Sequence, residues 1–196
     1  MGFSGQFVFG RSDGPLLDAP AFDTVRPPWG DGADEMRPRP GGWQTLELKH
    51  DRYEVNAELL RSLVESTGSP ACVALIYDSD VAEVVGLAPD GREWRAVLHF
   101  HVAAALAVTR PDGVDDDLVW IESPEYREAV VHARRELDAA VPGNAEGAIA
   151  WAAAAGFTAG GGPAAVEELL RSRRVFVEEL FFDLLDALGF PPLRRT

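Results

Sequence analysis

Hydrophobic and polar positions follow two different rhythms along this chain. In the first half they alternate with a period of two. In the second half they recur every three to four residues. Residues 2–9 set Phe3, Phe7 and Phe9 among small and polar neighbours and predict a strand. Trp43, Thr45, Glu47 and Lys49 alternate with Gln44, Leu46 and Leu48 and predict a second. Residues 71–101 predict a three-stranded meander. Ala71–Tyr77 is apolar on both faces, Asp78-Ser79-Asp80 turns the chain, and Val81–Leu87 returns. Pro89-Asp90-Gly91 turns it again, and the third strand is expected over 92–101. Along that strand Trp94, Ala96, Leu98 and Phe100 share a buried side. Glu93, Arg95, Val97, His99 and His101 share a wet one.

Helical spacing appears first at 56–66, with Asn56 as cap, Leu59, Leu60, Leu63 and Val64 on one face, and Gly68 as the stop. Residues 103–108 fit a short helix or a continued strand equally. Residues 110–117 read as a loop and 118–122 as a short strand. Ser123-Pro124 then starts a helix whose stripe is Tyr126, Val130, Ala133, Leu137 and Val141, and Pro142-Gly143 is expected to end it. An alanine-rich helix follows to Ala155, and Pro163 opens one long helix reaching about Leu188. Strands first and helices afterwards predict an α+β fold in a single domain, 1–196. Its antiparallel sheet has about five strands, covered by the helical C-terminal part, 123–189. Between the first two strands lies a long loop, 10–42. Pro15, Pro20, Pro27, Pro28, Pro38 and Pro40 deny it regular structure, and Phe22 and Trp29 are candidates to pin it to the core.

The charge is uneven. The formal net charge is −14, and residues 51–122 hold fourteen acidic against five basic side chains. A net-acidic surface repels phosphate backbones and argues against nucleic-acid binding. The basic residues are seventeen arginines and Lys49, a composition typical of a GC-rich bacterial genome. Cys72 lies in an apolar run and reads as a buried small hydrophobe. The first residues lack the basic-then-apolar pattern of a secretory signal, and no apolar run is long enough to span a bilayer, so the expected location is the cytoplasm.

Four features carry candidate chemistry. His99 and His101, at i and i+2 on the expected strand, would point the same way and supply two ligands to a divalent metal ion. Asp78, Asp80 or Glu83 on the neighbouring strand would complete the set. Exposed histidines on a wet strand face are, however, ordinary. Asp78-Ser79-Asp80 resembles metal-binding Asp-x-Asp ends, but the lysine that dehalogenase-type phosphatases need downstream is absent, and a tight turn explains the same residues. Asp115, Asp116 and Asp117 suit a solvated loop. Gly160-Gly161-Gly162 precede a helix but no phosphate-loop lysine follows.

No nucleophile or catalytic set stands out. The leading expectation is a non-enzymatic, acidic, inhibitor- or immunity-like binding protein with no cofactor, meeting a basic protein partner through Asp78, Asp80, Glu83, Asp115, Asp116 and Asp117. The alternative is a metal-dependent hydrolase built on His99 and His101. A third reading uses Trp29, Trp43 and Trp94 as walls of a small-molecule pocket. The final helix, about 40 Å long at 1.5 Å per residue, carries enough apolar surface to form a homodimer seam.

Overall fold

The computed structural model describes residues 2–23, 35–49, 57–113 and 116–193. Trp29, His50, Asn56 and Asp115 lie outside them. Six strands form one antiparallel sheet: β1 (Gly5–Arg11), β2 (Glu35–Pro38), β3 (Trp43–Lys49), β4 (Ala71–Tyr77), β5 (Val81–Leu87) and β6 (Glu93–Leu98), in the order β2-β3-β1-β4-β5-β6. The α+β expectation holds, with six strands instead of about five. The extra strand, β2, comes from inside the proline-rich stretch. It pairs with β3 at the sheet edge, where Pro38 can stand without breaking a ladder on both sides. The same stretch also packs: Leu16 and Phe22 sit on short 3-10 turns and are buried.

Strand alternation sorts the core into two clusters, one per sheet face. Phe7, Phe9, Ala74, Ile76, Val84 and Leu98 point to the C-terminal helices. Val8, Leu46, Leu48, Val73 and Leu87 point to α1 (Ala57–Thr67) and the 3-10 turns. Helices therefore cover both faces, not one. The amphipathic stripe of α1 is the expected Leu59, Leu60, Leu63 and Val64, and Gly68 follows it at a φ of +62°.

Four expected elements are redrawn. Strand β6 ends at Leu98, not at residue 101. His99 takes a left-handed φ of +56°, and α2 (Phe100–Leu106) begins directly after it. Residues 118–122 form a short helix, α3 (Asp117–Glu122), because the Asp116 carboxylate accepts the Leu118 N–H at 2.8 Å and caps it. Helix α4 (Pro124–Ala154) runs for 31 residues straight through Pro142. Val141, Ala145 and Ala148 on either side of that proline are buried, whereas Pro142 and Gly143 are exposed. Packing against β6 thus outweighs the single lost hydrogen bond. The approach is close: a Cβ at Gly147 would stand 2.9 Å from the Cβ of Trp94. Trp151 fastens the far end of α4, its indole N–H shared between the Ala71 and Leu87 carbonyls at 3.2 Å each.

The expected long final helix is two, α5 (Gly162–Arg171) and α6 (Val177–Ala187). Val177, Leu180, Phe181, Leu184 and Leu185 of α6 are all at most 1% exposed. Most of the apolar stripe that suggested a dimer seam is therefore buried in the chain's own core, whereas Phe176 stays 51% exposed. No helix among the described residues is long and apolar enough to cross a membrane.

Candidate functional site

The junction between β6 and α2 lies at the same end of the sheet as the β4–β5 turn. In that turn three residues join Tyr77 to its partner Val81, the Asp80 N–H donates to the Tyr77 carbonyl at 2.9 Å, and Asp78 and Ser79 both have positive φ, +49° and +59°. Aspartate tolerates the left-handed region. Serine does so less readily, and here four hydrogen bonds hold it. Its N–H donates to the Phe3 carbonyl at 2.8 Å, and its hydroxyl oxygen accepts the Phe3 N–H at 2.7 Å. Its hydroxyl donates to the Glu178 carboxylate at 2.6 Å, and its carbonyl accepts the Val177 N–H at 2.9 Å.

His99 completes the junction. Its Nδ1 lies 2.8 Å from the Asp80 carbonyl, and its Nε2 accepts the Arg174 N–H at 3.0 Å. These partners fix the Nδ1–H tautomer and occupy both ring nitrogens. His101, two residues on, is a helical residue on a different wall, so the shared strand face that suggested a metal pair does not exist. Among the described residues no group of three or more His, Cys, Asp and Glu side chains is placed to hold a metal ion. His132 is exposed and pairs with Glu136 at 3.2 Å.

The expected acidic residues separate. Asp78 and Asp80 are exposed on the β4–β5 turn, Asp78 accepting the Gly2 N–H at 2.7 Å. Glu83 is exposed on the opposite sheet face, between Leu75 and Val97. Asp116 is spent on its cap, and Asp117 pairs with Arg110 at 3.0 Å. Trp43 and Trp94 are buried, at 4% and 5% exposure, in the aromatic core. Cys72 is fully buried, and burial pushes its thiol far above the usual range, so it is no nucleophile.

Through the Ser79–Glu178 hydrogen bond the turn connects to a groove of about 290 Å³. Phe3, Phe7, Phe176 and Phe182 make its apolar walls, and Glu178 and Glu179, in the first turn of α6, stand among them. Arg37 closes one side. It is paired with Glu47 at 3.2 Å, with its guanidinium 5.2 Å from the Phe182 ring centre. Phe176 is 51% exposed and Val175 79%. Glu178 Oε1 takes the Ser79 hydroxyl, but Oε2 is buried and has no hydrogen-bond partner among the described residues.

Among the described residues, none of the acidic ones expected at a site lines this groove, and Phe3, Phe176, Glu178 and Glu179 were missed. The available signal was Val175-Phe176 followed by two glutamates. Acidic residues belong in the first turn of a helix, so Glu178-Glu179 mark a new helix start inside the supposed long one. Comparison of the chain with protein-family models, with curated proteins and with solved structures gave no match.

Proposed function

We propose that the chain is a non-enzymatic binding protein, inhibitor-like in character, that engages a basic protein partner at the groove between the 78–79 turn and the start of α6. One observation carries this reading: Glu178 Oε2, a buried carboxylate oxygen without a donor, in the wall of an aromatic groove. An unsatisfied buried acceptor costs about 1–3 kcal/mol, more when charged. An arginine or lysine of a partner removes that cost, and its methylene stem packs on Phe3 and Phe182. The exposed Phe176 ring is suited to be the apolar anchor, with exposed Glu179 beside it as a charged rim. The net charge of −14 adds long-range attraction for a cationic partner.

The test is capture of partners from the native host at low and high salt, by the wild-type chain and by the Phe176→Ala and Glu178→Gln variants. The expected partner is basic, leaves at high salt, and is weakened at least about tenfold by each variant. A partner held equally by both variants, or insensitive to salt, overturns the reading.

A further inference from the structure

A second cleft, on the other side of the 172–176 connection, carries the opposite charge. It encloses about 340 Å³ between α2, α4 and the end of α5. Phe100 and Val131 supply apolar wall, and His101, Arg134, Arg135 and Arg171 supply donors. In a chain with 32 acidic and 18 basic side chains, three arginines around one cavity are a local reversal. One carboxylate, Asp138, shares the lining, and it is committed to Arg171 at 2.8 Å. Arg171 also pairs with Glu167 at 2.9 Å, which fixes its guanidinium at the rim. Among the described residues no carboxylate pairs with Arg134 or Arg135. His101 Nδ1 is buried with no hydrogen-bond partner among those residues.

We infer that this cavity binds a small phosphate monoester, its phosphate among Arg134, Arg135 and His101 and its apolar body against Phe100 and Val131. Among the described residues, two free arginines of α4 and an unpartnered imidazole nitrogen of α2 offer more donors than the two oxygens of a carboxylate can use. A tetrahedral dianion, with three terminal oxygens, matches them. The volume lies at the lower end of the range for small-molecule sites and accommodates a phosphate with a ring-sized substituent. His101 is also held below its ordinary pKa, first by burial and then by Arg134 and Arg173, as expected where positive charge has collected without its counter-anion. The site shares no residue with the aromatic groove and stands independently of the function proposed there.

Phenyl phosphate and inorganic phosphate are the probes, followed by calorimetry and by the His101 imidazole NMR signals. Phenyl phosphate is expected to bind more tightly than inorganic phosphate and to shift the His101 signals. The double change Arg134→Ala with Arg135→Ala is expected to weaken it at least about tenfold. Both arginines are exposed on α4, so the fold tolerates their loss, and unchanged far-UV dichroism verifies it. Arg127→Ala, elsewhere on the same helix, is expected to leave binding unchanged. Absence of phenyl phosphate binding at about 10 mM, or equal loss in Arg127→Ala and the double variant, overturns the proposal.

Discussion

The two clefts flanking the 172–176 connection are built from adjacent residues and are opposite in chemistry. On one side Arg171 and, from α4, Arg134 and Arg135 surround His101. On the other Phe176, Glu178 and Glu179 continue the same stretch of chain toward Phe3 and Phe182. The charge reverses within eight residues of sequence. The contrast shows that a net charge, even one as large as −14, does not describe a surface. It also shows what keeps the clefts distinct. Their divider is held at Arg174 N–H by His99, at Val177 N–H by the Ser79 carbonyl, and at the Arg174 side chain by Asp183, 3.0 Å away.

The largest effect should follow from removing that divider's anchor. His99 is 7% exposed and satisfies two backbone groups distant in sequence. His99→Ala leaves both without a partner and opens a void, at an expected cost of about 2–4 kcal/mol in urea unfolding. His99→Asn, which tolerates a left-handed φ, should recover part of it. A His99→Ala chain as stable as wild type would mean that the connection is held by packing alone, and the two clefts would lose their common origin. The acidic groove offers the next effect. Ser79→Ala removes the hydroxyl from Glu178 and from the Phe3 N–H. It should cost about 1–2 kcal/mol in the same measurement and further weaken the hold on Glu178.

Much of this arrangement was legible beforehand and some was not, for identifiable reasons. Period-two alternation placed β3 to β5 correctly because their buried faces are long and their turns carry Pro-Asp-Gly and Asp-Ser-Asp. It overran β6, because Phe100 continues the buried alternation while His99, by entering the left-handed region, lets the chain change from strand to helix. Local rules also broke α4 at Pro142, where tertiary packing keeps it whole. They fused α5 with α6, where the backbone bond from Arg174 to His99, 75 residues away, keeps them apart. These errors bear on the clefts directly. Glu178 and Phe176 became site residues only once the final helix was divided, and His101 moved to a different cavity once β6 ended at Leu98.

The smallest expected effect concerns the basic cavity alone. His101 is held below its ordinary value of 6.5, chiefly by burial and then by Arg134 and Arg173, with the Arg171 backbone and the Asp138 carboxylate offsetting part of the shift. A histidine depressed in the folded state takes up its proton more readily when unfolded. Its contribution is therefore intact above pH 6.5 and is lost as pH falls below that value toward the lower folded one. Urea midpoints at mildly acidic and neutral pH should thus differ more for wild type than for His101→Asn, since every other group is common to both chains and cancels. Arg134→Ala should lie between the two, because it removes one of the charges that depress His101. If His101→Asn leaves the pH dependence unchanged, the imidazole is not poised by the arginines around it. The cavity would then differ from the acidic groove in composition but not in its readiness for an anion.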